Sequence, residues 1–264
     1  MWRISRPLDV QAVATVRSGS DETENRGLAF IVISDEGSCM RYPGGKSRCY
    51  QKLIELIPPH RVYIETHLGG GAVLRNKRPA EINIGIDKDP HVIESHLQGA
   101  RSSVRFVAED AVAYLQREKP PQDAFVFVDP PYPRVTRRAT RSPYRFDYSD
   151  DDHLRLLEVL CSLDCSVMVS SYPNELYDSE LRGWTRVNFN GTSHVGSRSE
   201  CVWLNYTPTV LHDTRYIGWD FRGRQSWKRK CARWKQRFSQ LSAAEQQCLL
   251  DELNTSFLQL TPTP

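Results

Sequence analysis

The chain has 264 residues, of which 39% are hydrophobic and 25% are charged, and its formal net charge is +3. This composition is ordinary for a globular protein, and the length suits one large α/β domain with an appendage or two small domains. No apolar run approaches the ~20 residues that a membrane-spanning helix needs, so the composition excludes an integral membrane protein built on such helices.

The seven cysteines are odd in number, scattered, and free of any CxxC pair. Such a distribution favours a reducing compartment and argues against a zinc site or a disulfide framework. The first seven residues lack the apolar stretch of a secretory signal. We therefore expect a cytoplasmic protein that binds no metal and no membrane.

Strand-like and helix-like segments alternate from about residue 40 onward. Residues 1–39 contain one short strand-like run, and we expect them to be either an accessory strand or a flexible extension upstream of Met40. The predicted strands are 61–68, 82–87, 104–108, 124–128 and 166–171, and the predicted helices are 47–57, 90–98, 110–118 and 151–163. The alternation predicts a mostly parallel sheet covered by helices on both faces. Residues 185–190 and 199–206 predict a closing hairpin with one antiparallel strand.

The segment after residue 210 differs in character. Four apolar side chains fall on one face of a predicted helix, at spacings of four, three and four residues: Trp227, Cys231, Trp234 and Phe238. Ser242 and Glu245 form a capping-box pattern before a second helix. We expect an α/β domain over 40–210 and a basic helical extension over 211–264, which docks by its aromatic face.

Two cationic clusters contain no acidic residue. The first holds Arg134, Arg137, Arg138, Arg141 and Arg145, and the second has eight cations between residues 222 and 237, including Lys228, Arg229 and Lys230. A solvated face usually mixes both signs of charge. Two one-sign clusters in a nearly balanced chain favour contact with a polyanion at two places.

Acidic residues stand at or just beyond the ends of four predicted strands: Glu65, Asp87, Asp110 and Asp129. Ligands of open parallel sheets bind beyond the carboxyl ends of the strands, and the glycines at 69–71 let the backbone pass close to a ligand. Asp87 and Asp110 also precede helices, so N-capping is an alternative role for both. The loop does not fit GxGxxG and has no adjacent phosphate-binding cation, which favours a nucleoside with a cationic substituent over a dinucleotide.

The segment Asp129, Pro130, Pro131 and Tyr132 follows a buried strand. Pro130 cannot donate a hydrogen bond, so the stiff turn presents acceptors, namely the Asp129 carboxylate and a backbone carbonyl. Acceptors held side by side suit the exocyclic amine of a nucleobase, and Tyr132 offers a face for stacking. The alternative is a rigid turn whose tyrosine merely packs.

In these motifs the chain resembles the Dam-type adenine-N6 DNA methyltransferases, especially the compact members carried by phages and mobile elements. The resemblance rests on DPPY at 129–132, YPGGK at 42–46, ETHLGGGAV at 65–73 and GIDKD at 85–89. It implies a Rossmann-like methyltransferase sheet of seven strands with S-adenosylmethionine as methyl donor. It also implies DNA as partner and direct in-line transfer to the N6 amine of adenine.

The resemblance implies site residues as well. The cofactor-binding residues are Tyr42, Gly45, Lys46, Glu65, Gly69, Gly71, Asp87, Asp110 and Asp129, and the catalytic residues are Asp129, Pro130, Pro131 and Tyr132. Within these sets, Asp87 takes the ribose hydroxyls and Asp110 takes the cofactor's adenine amine. The chain departs from the family at Thr66 and His67, where the family has proline and phenylalanine.

Only 18 residues (111–128) separate Asp110 from Asp129, so the target-recognition insertion of larger relatives is missing. We therefore expect DNA readout from the arginine loop, the hairpin tip and the basic tail. The predicted nucleic-acid-binding residues are Arg134, Arg137, Arg138, Arg141, Arg145, Arg198, Lys228, Arg229 and Lys230. An RNA adenine-N6 methyltransferase and a non-catalytic DNA-binding protein of the same fold are the alternatives.

Overall fold

A seven-stranded sheet with strand order β3-β2-β1-β4-β5-β7-β6 organises the chain in a computed structural model. The structure describes residues 44–98, 103–137, 142, 144–193 and 196–260, with the backbone alone at 190–193, 196–198 and 257–260. The predicted extension 1–39 lies outside these ranges. The strands are β1 Val62–Thr66, β2 Ile82–Asp87, β3 Val104–Ala108, β4 Ala124–Val128, β5 Ser166–Ser171, β6 Thr185–Ser193 and β7 Gly196–Leu204.

Strands β1 to β5 pair in parallel, whereas β7 runs antiparallel to both β5 and β6. This arrangement confirms the predicted Rossmann-like α/β class, including the closing hairpin. All five residues of β1 and all five of β4 are buried, because helices cover both faces of these central strands. One core cluster contains Val62, Ile64 and their neighbours, and the other contains Tyr63 and Phe125.

Six helices lie between or beside the strands: α1 Tyr50–Ile54, α2 Ala72–Asn76, α3 Pro90–Gln98, α4 Ala111–Glu118, α5 Asp150–Cys161 and α6 Glu175–Glu180. The predicted helix 47–57 is shortened to α1, preceded by a 3-10 turn at Lys46–Arg48. Ser149 and Asp152 cap α5 reciprocally, as the sequence predicts. Helix α6 was not predicted from the sequence.

Two helices end the described chain, α7 Phe221–Ser239 and α8 Ala243–Leu260. Ser242 and Glu245 form the predicted capping box, in which the Ser242 N–H lies 2.8 Å from the Glu245 carboxylate. None of these helices has the length and apolarity that crossing a bilayer requires, within the residues that the structure describes.

The predicted docking of α7 by its aromatic face is wrong. No residue of this helix is buried, and 60% of the Trp234 side chain is exposed. The rings instead lie beside neighbouring cations, with Lys230 Nζ 5.5 Å from the Trp227 ring centre and Arg237 over Trp234. The preceding segment does pack on the α/β domain, since buried Asp213 accepts a hydrogen bond from the Arg78 N–H at 2.8 Å.

Because β1 to β4 run parallel, their carboxyl ends lie at one edge of the sheet. Glu65 lies within β1 and Asp87 ends β2. Asp129 directly follows β4, and Asp110 lies two residues beyond β3. The fold therefore gathers at one edge the four acids that the sequence spreads over 65 positions (65–129).

Candidate active site

A solvent-open cavity lies at this carboxyl edge. It collects most of the predicted cofactor and catalytic residues: Gly45, Lys46, Glu65, Gly69, Gly71, Asp87, Asp110, Asp129, Pro130 and Pro131. Tyr42 lies outside the described residues. Tyr132 is described but does not line the cavity.

The glycine turn between β1 and α2 is held by Asp87. Gly69 and Gly71 have φ angles of 45° and 59°, in the left-handed region that favours glycine. The Gly69 N–H donates to Asp87 Oδ2 at 2.9 Å, and the Asp89 N–H donates to Oδ1 at 2.9 Å. Burial raises the pKa of Asp87 above its ordinary value, and these two hydrogen bonds offset part of that effect. Asp87 thus shapes the turn while remaining on the cavity wall.

Glu65 is buried at the base of the cavity. Its Oε2 accepts hydrogen bonds from Tyr63 Oη and the Leu74 N–H, both at 2.7 Å. Its Oε1 accepts none from the described residues. Burial raises the pKa of Glu65 to about 7, against the opposing effect of these hydrogen bonds. A carboxyl group in this state favours a ligand that brings positive charge or N–H donors.

Asp110 caps helix α4, so the capping alternative is confirmed for this residue. Its Oδ1 accepts from the N–H groups of Val112 and Ala113 at 3.0 and 3.2 Å, and Lys88 Nζ lies 3.3 Å from Oδ2. The side chain is 33% exposed at the cavity. Capping occupies one carboxylate oxygen and leaves the other beside the cavity, so the two roles are compatible.

Asp129 is held from two sides at a single oxygen. Lys46 Nζ and Ser170 Oγ both lie 2.5 Å from Asp129 Oδ1. No donor in the described part of the chain reaches Oδ2. Lys46 is 5% exposed; burial disfavours its charge, but attraction to Asp129 and other neighbours outweighs burial and raises its pKa well above the ordinary value. The carboxylate therefore has a fixed orientation with one acceptor oxygen free.

Ser170 was not identified from the sequence, although a signal exists there. Val128 of β4 pairs with Val169 of β5 in the parallel register. The next residues along the two strands, Asp129 and Ser170, therefore face each other. Ser170 follows Val169, the last residue of β5 that pairs with β4. Once this register is known, it predicts that the Ser170 hydroxyl lies beside Asp129.

Tyr132 packs beside Asp129 and is only 7% exposed. Lys46 Nζ lies 4.9 Å from the centre of its ring, and the Tyr172 ring meets it edge-on at 4.7 Å. Its hydroxyl donates to Glu200 Oε2 at 3.2 Å. In this structure the ring is enclosed, and the face predicted for base stacking is not open to the cavity.

Three aromatic residues missed by the sequence analysis line the cavity: Tyr144, Phe146 and Tyr148. Their spacing of two is the signal, because it places alternate side chains of an extended segment on one side. Tyr148 Oη lies 2.8 Å from His67 Nε2, and burial lowers the pKa of His67 to about 4. His67 is therefore neutral near pH 7 and packs in the cavity wall.

The predicted nucleic-acid-binding residues fall into separate groups. Arg134 and Arg145 are exposed after the DPPY turn, and Lys228, Arg229 and Lys230 are exposed on α7. Arg138, Arg141 and the side chain of Arg198 lie outside the described residues.

Arg137 corrects the prediction of a surface arginine. Its side chain is 9% exposed, because it forms a bidentate ion pair with Asp147. The sequence shows no acid between residues 134 and 145, but the partner of Arg137 is an acid two positions beyond that range.

No family model matches this chain, and no curated protein matches it. Solved structures do match. Precorrin 8w decarboxylase from Methanobacterium thermoautotrophicum is 16% identical with a TM-score of 0.39, and the match covers 63% of this chain and 94% of that protein.

The N-methyltransferase NodS from Bradyrhizobium japonicum is 14% identical with a TM-score of 0.43, and the match covers 59% of this chain and 93% of that protein. An rRNA methylase from Streptococcus thermophilus is 11% identical with a TM-score of 0.38, covering 59% and 92%. At such identities the similarity concerns the fold alone.

Proposed function

We propose that this protein transfers a methyl group from S-adenosylmethionine to the exocyclic N6 amine of adenine in DNA. The observation that carries the proposal is the state of Asp129. Lys46 and Ser170 hold its Oδ1, and Oδ2 has no partner among the described residues. The carboxylate stands at the rim of a cavity whose other acids suit a cationic nucleoside.

The residues present fit S-adenosylmethionine, which supplies an electrophilic methyl group when bound. Glu65, whose Oε1 accepts no hydrogen bond from the described residues and whose pKa burial raises to about 7, suits the cationic methionine end. Asp87 suits the ribose hydroxyls, and Asp110 Oδ2, which the exposed Lys88 side chain also contacts, suits an adenine amine. The glycine turn lets the backbone approach this ligand without a Cβ in the way.

Asp129 supplies the chemistry on the target side. The lone pair of an adenine amine is delocalised into the ring, so acceptors that hold its hydrogens turn the lone pair toward an electrophile. Asp129 Oδ2 and the Pro130 carbonyl are such acceptors, and the carboxylate also stabilises the positive charge that develops on nitrogen. The target base leaves its stack to reach this edge.

The role of Lys46 follows from its environment. Its pKa lies well above the ordinary value, so its ammonium stays charged throughout the neutral range and cannot accept a proton. The ammonium lies 2.5 Å from Asp129 Oδ1 and fixes the orientation of the carboxylate. The proton released by the methylated amine passes to water.

DNA as substrate is supported by the surface cations. Lys228, Arg229 and Lys230 are exposed along α7, in a helix with eight cations and no acid between residues 222 and 237. Such a helix binds phosphates in a salt-dependent manner. Arg134, two residues after the DPPY turn, adds an exposed cation next to the proposed target site, and exposed Arg145 lies 3.2 Å from Asp89.

The test is methyl transfer from labelled S-adenosylmethionine to adenine-unmethylated genomic DNA, followed by digestion to nucleosides. We expect N6-methyladenine with the wild-type protein and none with Asp129→Ala, while both proteins bind the cofactor. Matched RNA serves as the competing substrate. Label that appears only in RNA contradicts the DNA assignment, and cofactor binding without transfer to either polymer contradicts the proposed reaction.

A further inference from the structure

The guanidinium of Arg137 connects two parts of the site that are separate in the chain. Its Nε donates to the Tyr132 carbonyl at 2.5 Å, which belongs to the DPPY turn. Its two terminal nitrogens donate to the Asp147 carboxylate at 2.6 and 2.9 Å, and one also reaches Ser142 Oγ at 3.3 Å. The side chain is 9% exposed, so these contacts are internal.

Asp147 lies between two residues of the cavity wall, Phe146 and Tyr148. Its side chain is 12% exposed, and its Oδ1 also accepts the Tyr148 N–H at 2.9 Å. Burial by itself raises the pKa of Asp147, but the hydrogen bonds from Arg137, Ser142 and Tyr148 outweigh it and lower the pKa to about 2. Asp147 is therefore an anion at every pH of use.

We propose that the Arg137–Asp147 ion pair is a positioning element that couples the cofactor cavity to the DPPY turn, so that cofactor and target DNA strengthen each other's binding. The inference rests on the proposed function and deepens it. A cofactor that packs against Phe146 and Tyr148 restrains the backbone at Asp147. The bidentate pair transmits that restraint to Arg137, and Nε transmits it to the Tyr132 carbonyl.

The geometry favours this role over direct DNA contact. A bidentate arginine–carboxylate pair fixes both distance and orientation, which a single lysine contact does not. The Arg137 nitrogens point to Tyr132, Ser142 and Asp147, and the buried side chain presents little surface to a phosphate. Exposed Arg134 also approaches Asp147, at 3.4 Å, so the carboxylate is further linked to the proposed DNA surface.

The coupling between cofactor binding and DNA binding can be measured from either side, because it is reciprocal. If the cofactor tightens DNA binding by some factor, DNA must tighten cofactor binding by the same factor. Substitution of a residue that only maintains the fold changes the affinities for cofactor and for DNA, but it does not selectively change the factor by which one ligand tightens the binding of the other. The coupling factor is thus the readout that separates a positioning role from a structural one.

The experiment uses S-adenosylhomocysteine, which does not react, and sheared adenine-unmethylated genomic DNA. Calorimetry gives the Kd of S-adenosylhomocysteine with and without saturating DNA, for the wild-type protein, Arg137→Lys and Asp147→Asn. Arg155→Gln is the control, since Arg155 is exposed and pairs with Asp152 on α5. Thermal unfolding is recorded for every variant.

We expect DNA to lower the wild-type Kd by about fivefold or more. In Arg137→Lys and Asp147→Asn the factor falls below about two, while the Kd without DNA changes less than about threefold and unfolding stays cooperative. Arg155→Gln keeps the wild-type factor.

Three results overturn the inference while leaving the proposed function intact. The first is a wild-type protein that binds both ligands and methylates DNA but shows no coupling. The second is coupling that survives in both variants, and the third is coupling that is lost only together with cooperative unfolding. A wild-type protein that neither binds S-adenosylhomocysteine nor transfers methyl groups contradicts the proposed function itself.

Discussion

Ser170 Oγ donates a hydrogen bond to Asp129 Oδ1 at 2.5 Å, from the strand next to the one that Asp129 terminates. Lys46 Nζ, from the 3-10 turn before α1, lies 2.5 Å from the same oxygen. Both contacts fall on one oxygen, so the carboxylate is fixed in rotation and offers its second oxygen outward. The arrangement therefore fixes the position of Asp129 Oδ2 as a hydrogen-bond acceptor.

Ser170→Ala removes one of the two contacts that fix Asp129. A hydrogen bond to a charged group contributes about 1.5–3 kcal/mol, so we expect kcat for methyl transfer to fall about tenfold or more. The KM for S-adenosylmethionine changes little, because the cofactor residues are untouched. Steady-state kinetics measures both. Ser171→Ala, also buried on β5, is the control, and equal losses in the two variants would contradict the assignment.

Glu65 predicts a pH dependence of cofactor binding. Burial raises its pKa to about 7, and a cationic ligand favours the ionised form, so affinity increases as pH rises through 7. By linkage we expect binding about tenfold weaker at pH 6 than at pH 7.5. Calorimetry at several pH values measures the profile. Glu65→Gln should bind weakly with a flat profile; a steep profile in that variant assigns the titration to another group.

The raised pKa of Glu65 has the opposite effect on the free protein, whose stability decreases as the pH rises. The unfolded chain releases the Glu65 proton near pH 4.5, and the folded chain holds it to about pH 7. The contribution of this group to stability is therefore full below pH 4.5 and is lost as the pH rises to 7. Urea unfolding of the free wild-type protein and Glu65→Gln over this range checks the direction.

Asp110 has a capping role and a proposed ligand role that two substitutions separate. Asp110→Ala removes the cap of α4 and should cost about 1 kcal/mol of unfolding free energy, whereas Asp110→Ser keeps a capping oxygen and should cost a few tenths. Both remove the carboxylate at the cavity, so both should weaken cofactor binding about tenfold. Urea unfolding and calorimetry provide the two readouts. If Asp110→Ser binds the cofactor with wild-type affinity, the proposed ligand role is wrong and Asp110 only caps α4.

The cations of α7 should set the salt dependence of DNA binding. Each phosphate contact contributes about 0.9 to the slope of log K against log salt concentration. Replacing Lys228, Arg229 and Lys230 by Gln should therefore reduce the slope by about 3 units at most. Fluorescence anisotropy across a salt titration measures it. A triple replacement of the exposed Arg105, Arg155 and Arg182 serves as control, and an equal reduction there would assign the effect to net charge.

Local patterns in the sequence predicted a large part of the fold. Strands β2 to β5 and helix α3 have the predicted bounds, because alternation and helical spacing are properties of neighbouring residues. Both capping boxes were predicted for the same reason. The cavity acids were predicted because strand ends of a parallel sheet must meet at one edge.

Contacts between distant segments were decided by the tertiary structure. The partner of Arg137, the contact of Ser170 with Asp129 and the enclosure of Tyr132 all join residues whose distance depends on strand register or on the path of a loop. The open aromatic face of α7 was missed as well, since helical spacing shows that a face exists but not whether another element covers it. Sequence determines which groups are available at each position, and only the packed chain determines which of them meet, because a hydrogen bond or an ion pair requires approach within a few ångströms.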